Sequence, residues 1–237
     1  MEGLRISGFL VEKKGLILDL GLIDYKKAWD LQHELWLKRV EERLPDLLLI
    51  LEHPHVITLG RRGNRSSILV SPEVLKEMGI PLFQVERGGE VTYHGPGQLV
   101  GYPILNLKDY GYRVTQYIYE IEEVLIRALR DFGIEGSRDI RNRGVWVRDK
   151  KIASIGIAIQ RWVSFHGFSL NYRTDLKYFE WIYPCGLQGV RMTSMKEILG
   201  KEISRDRLVE RVSFHFKEIF QRAWEQKTIE EVCHSES

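Results

Sequence analysis

Only two of the 237 residues are cysteine, Cys185 and Cys233. They are too few and too far apart for a disulfide framework, so a reducing compartment is expected. No stretch approaches the roughly 18 consecutive apolar residues that a membrane-spanning helix requires. The start, Met1-Glu2-Gly3-Leu4-Arg5, has no apolar leader. A cytoplasmic protein without membrane association is therefore the expectation. An excess of one charge is also missing: 35 Lys and Arg face 33 Asp and Glu, a net +2. Bulk charge thus gives no reason to expect nucleic-acid binding. The pattern G-x-x-x-x-G-K-S/T occurs nowhere, which excludes a phosphate loop, and Gly95-Pro96-Gly97 has the wrong spacing for a dinucleotide fingerprint. His53-Pro54-His55 sets two histidines around a proline with no further ligands and reads as structural. Neither a metal nor a cofactor is expected.

With 43% hydrophobic residues, the chain can bury one sizeable core, and a single domain over residues 1–237 is the prior. Residues 16–20, 47–51, 56–59, 82–86 and 99–105 read as strands, with 56–59 placed beside 47–51. Asp24 can cap a helix to about residue 43. The clearest helix covers about 114–132, where Val114, Tyr117, Ile118, Ile121, Leu125, Ala128, Leu129 and Phe132 form one apolar stripe. A hairpin is expected from 144–147 and 151–159, followed by a strand at 165–172. Short helices are read at 72–78 and 195–199, and a longer one from 205 to about 224. Strands with hairpins among few helices predict an α+β fold, a mixed β-sheet flanked by helices.

Chemistry concentrates in a few places. Arg87-Gly88-Gly89-Glu90-Val91-Thr92-Tyr93-His94-Gly95-Pro96-Gly97-Gln98 holds four glycines and a proline. Such a segment either turns tightly or lets another group approach the backbone. Pro184-Cys185-Gly186 sets a thiol between two chain-bending residues. A lone cysteine is commonly a small buried hydrophobe, yet a turn would expose this one. Its thiol, with an ordinary pKa of about 8.5, needs a cation or base to react at neutral pH. His94 and His166 are available, and so is Lys151. In the strand from Lys151, Ala153, Ile155, Ile157 and Ile159 share one face with the lysine. A lysine on a covered face is desolvated and more easily neutral; at a hairpin end it can instead snorkel into water. Gly60-Arg61-Arg62-Gly63-Asn64-Arg65 is a local basic patch, suited to an acidic partner or simply solvated.

These segments resemble the lipoyl(octanoyl) transferases of the biotin/lipoate protein ligase superfamily. The resemblance is carried by residues 87–103, Leu59-Gly60-Arg61-Arg62-Gly63, Gly144-Val145-Trp146-Val147, Lys151-Ile152-Ala153-Ser154-Ile155-Gly156, Phe165-His166-Gly167-Phe168-Ser169-Leu170-Asn171 and Pro184-Cys185-Gly186-Leu187. They run in family order from about residue 30 to 200. The resemblance implies the ligase catalytic-domain fold, Cys185 as nucleophile and Lys151 as its activator. It implies substrate contacts from Arg87, Gly88, Gly89, Glu90, Val91, Thr92, Tyr93 and His94, from Ser154, Ile155 and Gly156, and from Gly167, Phe168 and Ser169. It implies octanoyl-acyl carrier protein as donor, with no cofactor. The implied acceptors are the lipoyl domains of 2-oxoacid dehydrogenases and the glycine cleavage H protein. Arg61, Arg62 and Arg65 are expected to help dock the donor. Other readings are an ATP-dependent lipoate or biotin ligase, which needs no thiol, and an octanoyl amidotransferase working between lipoyl-bearing proteins. A non-enzymatic acyl-carrier binding module and a cysteine hydrolase are further alternatives.

Overall fold

A computed structural model describes residues 13–139, 142–183 and 189–234. The strands are β1 (Lys14–Leu22), β2 (Asp46–Glu52), β3 (Val56–Leu59), β4 (Leu82–Gln84), β5 (Val91–His94) and β6 (Gln98–Ile104). They continue as β7 (Ser137–Arg138), β8 (Gly144–Val147), β9 (Lys150–Gln160), β10 (Val163–Asn171), β11 (Arg191–Met192) and β12 (Ala223–Lys227). The helices are α1 (Tyr25–Val40), α2 (Pro72–Glu77), α3 (Val114–Arg130), α4 (Met195–Leu199), α5 (Arg205–Ile219) and α6 (Ile229–His234).

A large mixed sheet runs in the order β12-β1-β2-β6-β10-β9-β8-β7, with β11 beside β9, and a small sheet runs β4-β3-β5. β12, β1 and β2 are parallel, while β2 through β8 pair antiparallel. The period of two sorts the central strand: Leu48 and Ile50 join the core under α3 and α5, whereas Leu47, Leu49 and Leu51 join the core under α1. Both faces of β2 are covered, so its run of leucines has no polar side. Each such side chain fully buried contributes about 1.5–3 kcal/mol. The apolar stripe expected for α3 lies on that first core, with Tyr117, Ile121, Leu125, Ala128 and Leu129 all buried.

Two expectations are corrected. Residues 56–59 do not neighbour β2; as β3 they pair with β4 and β5, because β1 and β6 already occupy both edges of β2. The C-terminal helix stops at Ile219, and Ala223–Lys227 instead extends the sheet along β1. Pairing β12 there gives the edge of β1 the backbone partners it would otherwise lack, a tertiary gain that outweighs helical periodicity at Ala223. No described helix is long and apolar enough to cross a membrane.

Candidate active site

The site begins with two close backbone approaches. The loop after β3 lies against the glycine-rich segment: Gly60 N donates to Glu90 O (2.7 Å), Arg61 N to Arg87 O (2.9 Å) and Arg62 N to Gly89 O (3.2 Å). A Cβ at Gly60 would stand 2.6 Å from Gly89 O, so only glycine permits this contact. Arg87 then fastens the loop from inside. Its guanidinium donates to Thr58 O (2.7 Å), Thr58 Oγ1 (2.9 Å), Glu90 O (3.0 Å) and Gly88 O (3.1 Å). Gly88 N donates to Ile157 O at 2.8 Å, which seats the loop on β9.

Where the loop crosses β9 and β10, a cavity of about 440 Å³ opens, within the usual range of roughly 300–1,000 Å³ for small-molecule sites. Of the sequence-predicted substrate contacts, Arg87, Gly88, Gly89, Glu90, Val91, Thr92 and His94 line it. So do Ser154, Ile155, Gly156, Gly167, Phe168 and Ser169. Tyr93 does not: its hydroxyl meets His55 Nδ1 at 2.7 Å, and its ring stacks on Tyr178 (5.0 Å) on the small sheet's other side. The next residues are architectural. Gly97 sits at φ +81°, its amide donates to Glu52 Oε2 (2.7 Å), and its carbonyl accepts from Tyr172 N, Arg173 N and Thr174 Oγ1. Gly156, across from Gly167, leaves room for the loop: a Cβ there would stand 3.1 Å from Arg87 Cδ and 3.2 Å from Gly88 O.

Lys151 is 1% exposed, so the sequence alternative of an outward lysine does not hold; Lys150 is the one that reaches outward, to Glu197. Lys151, Ile152 and Ala153 are all buried, at a register shift where Val145 pairs with Ala153 and Trp146 with Lys151, leaving Ile152 as an extra residue on β9. The Lys151 amine donates to Asn142 Oδ1, and Asn142 lines the cavity although Lys151 does not. Gly144 makes room: at φ +130°, a Cβ there would lie 2.7 Å from Lys151 Cε and 2.2 Å from Ala153 O. The buried Glu122 holds that position by accepting from Gly144 N at 2.9 Å. Cys185, expected to meet Lys151, lies outside the described residues.

The histidines take roles other than activator. A chain of hydrogen bonds fixes the tautomer of His94. Asn171 Nδ2 donates to Thr193 O (3.1 Å), leaving Asn171 Oδ1 to accept from Gln98 Nε2 (2.8 Å). Gln98 Oε1 must therefore accept from His94 Nδ1 (2.7 Å), and Nε2 is left as a lone-pair acceptor. Burial holds the His94 pKa down at about 3, too weak a base to deprotonate a thiol. His166 stands at φ +54°, a left-handed backbone that brings its ring beside its neighbour Phe165 (5.1 Å). Its Nε2 faces Glu86 Oε2 at 3.3 Å; that hydrogen bond is the main reason the Glu86 carboxyl drops to about 2, while burial lowers His166. His53 is likewise buried and lowered to about 4, with its ring between Ile23 O and the Tyr102 hydroxyl. Tyr25, Arg62, Tyr102, Ile118, Asn142, Arg143, Ile157 and His166 complete the lining. As cavity residues, Tyr25, Tyr102, Ile118, Asn142, Arg143 and Ile157 were missed by sequence reasoning. Asn142 and Arg143 left a trace: they directly precede the glycine that opens β8, where a hairpin returns the chain past Lys151.

Comparison with known proteins agrees with this geometry. The profile of the "Lipoyl protein ligase A/B catalytic domain" matches residues 24–217. An octanoyltransferase of Syntrophobacter fumaroxidans is 51% identical over 220 residues, covering 93% of this chain and 96% of its own. An octanoyltransferase of Caldicellulosiruptor bescii is 48% identical, covering 85% of this chain and 89% of its own. Among solved structures, the bi-partite lipoate protein ligase of Thermoplasma acidophilum, from a study of an archaeal lipoylation system with its E2 lipoyl domain, superposes with a TM-score of 0.70. It is 18% identical and covers 92% of this chain and 87% of its own, a likeness of fold. The chain belongs to the lipoyl protein ligase A/B catalytic-domain family and, within it, to the octanoyltransferases.

Proposed function

We propose that this protein transfers an octanoyl group from octanoyl-acyl carrier protein to the lysine of a lipoyl domain, passing through a thioester on Cys185. The acceptors are the lipoyl domains of 2-oxoacid dehydrogenases and the glycine cleavage H protein. The observation that carries the reading is a buried lysine, Lys151, bonded to a residue that lines the cavity in a chain 51% identical to an octanoyltransferase.

The chemistry follows from these residues. Lys151 accepts the thiol proton of Cys185, and the thiolate attacks the donor thioester carbonyl. The tetrahedral oxyanion needs backbone donors. Gly88 N is committed to Ile157 O, whereas the amide of Gly89 has no hydrogen-bond partner among the described residues. Gly89 N therefore takes that role. Collapse expels the carrier as its thiolate, which takes the proton back from Lys151 and leaves as the thiol. The acceptor amine then attacks the Cys185 thioester, with Lys151 taking its proton, and an amide forms as the thiol is regenerated. Thioester to thioester is near balance and thioester to amide runs downhill, so no nucleotide is consumed.

The test is transfer from octanoyl-carrier protein to a purified lipoyl domain with ATP withheld. Activity without ATP, abolished by Cys185→Ala, is the expected result. Transfer by Cys185→Ala at the wild-type rate would end the nucleophile assignment, and strict ATP dependence with free octanoate would favour the ligase reading. Chain length is a graded preference: two fewer methylenes, at about 0.8 kcal/mol each, weaken binding by roughly fifteenfold. Competition between hexanoyl and octanoyl donors measures it.

A further inference from the structure

Arg62 and Arg143 come from distant segments, the loop after β3 and the residue before β8, yet both line the same cavity and both are exposed. Several arginines elsewhere are paired: Arg39 with Asp46 and Asp109, Arg138 with Glu122 and Glu123, Arg205 with Asp19 and Glu52. Among the described residues no carboxylate pairs with Arg62 or Arg143. The other charges lining the cavity are Glu90 and Arg87, and the Arg87 guanidinium is spent on Thr58, Gly88 and Glu90 backbone. The lining is therefore net positive, with two guanidinium forks uncommitted. Arg61 and Arg65, next to Arg62 on the same loop, are exposed too. A planar fork of N–H donors matches a phosphate better than it matches water or a hydrocarbon. An octanoyl chain has no use for it.

We propose that Arg62 and Arg143 are the phosphate-binding rim of this cavity, holding the phosphodiester of the donor's prosthetic arm while the acyl thioester lies inside. The proposal rests on the octanoyl-transfer reading above. In an acyl carrier protein a pantetheine arm separates the thioester sulfur from the phosphate. A thioester delivered into the cavity thus leaves its phosphate at the opening. Glu90 opposes an anion there, and the two arginines outweigh it.

The experiment measures acyl loading of the full chain from octanoyl-pantetheine, octanoyl-4′-phosphopantetheine and octanoyl-carrier protein. The wild type, Arg62→Gln/Arg143→Gln and Arg62→Lys/Arg143→Lys are compared. The wild type is expected to show a KM about tenfold lower for the phosphorylated small donor than for the unphosphorylated one, the size of one charge-assisted hydrogen bond. The glutamine pair abolishes that ratio, and the lysine pair keeps part of it. Equal KM values for the two small donors in the wild type would overturn the rim, as would a preference that survives in the glutamine pair. Discrimination seen only with the carrier protein would also overturn it, assigning the arginines to the partner's acidic surface instead. No loading of the wild type by any donor would overturn the acyl-transfer reading itself, and the rim with it.

Discussion

Lys151 shows how little separates a structural residue from a chemical one. Its neighbour Lys150 pairs in solvent with Glu197, while Lys151 is shut in beside Trp146 and bonded to Asn142. Among the described residues that amide orients the amine through its carbonyl oxygen. Asn142→Ala is therefore expected to loosen the Lys151 side chain and lower kcat by about fivefold, the worth of one hydrogen bond of about 1 kcal/mol. An unchanged kcat in Asn142→Ala would contradict this. His94 is the opposite case: a tautomer fixed by Gln98 and a pKa held near 3 make it an acceptor of hydrogen bonds and no base.

At the scale of elements, the hairpin of β8 and β9 positions the lysine, and Gly144 is its weakest point. Gly144→Ala puts a methyl 2.2 Å from Ala153 O in a backbone region that costs an ordinary residue about 1–3 kcal/mol. A loss of about 2–4 kcal/mol in urea unfolding is expected, from strain plus overpacking. Wild-type stability in this variant would mean that β8 shifts freely. This hairpin was legible in the sequence because its strands alternate around a polar turn, and α3 because its stripe is wide and unbroken. The depth of Lys151 was not legible, since parity placed it on the apolar face but could not foresee the register shift. Nor was the break after α5 legible: Ala223 fits the helical spacing, and only the open edge of β1 explains its strand. In the glycine-rich segment the residues left a tight turn or a close approach open, and the family resemblance implied substrate contacts from Arg87 to His94. The structure divides the segment into a cavity-facing part, Arg87 to Thr92 with His94, and a turn tied to Glu52 at Gly97.

Across the whole molecule, the two cores meet at a sheet in which two buried histidines are kept neutral. His53 and His94 are buried with pKa values lowered to about 4 and about 3 from 6.5. Between about pH 4 and 6 the unfolded chain therefore binds two protons that the folded chain does not. Stability rises with pH in that window and is lost as pH falls, by about 1.4 kcal/mol per proton per pH unit, or roughly 2.7 for the pair. Urea titrations at pH 7, 6 and 5 measure it, and a flat stability over that range would contradict the buried neutral histidines. The architecture was readable because it rests on local periodicity, and the cavity-lining segments because they carry the family resemblance. The cavity's arginine pair and its asparagine were not, because each depends on segments far apart in sequence that only the folded sheet brings together.

The central claim is that an octanoyl group rests on Cys185 in transit. It is tested most directly by the intact mass of the protein after mixing with octanoyl-carrier protein and no acceptor. The account predicts a single octanoyl adduct, removed by hydroxylamine and mapped to the Cys185 peptide, which disappears in Lys151→Ala and passes to a lipoyl domain when one is added. An unmodified protein that still transfers octanoate, or an adduct on any other residue, would contradict it.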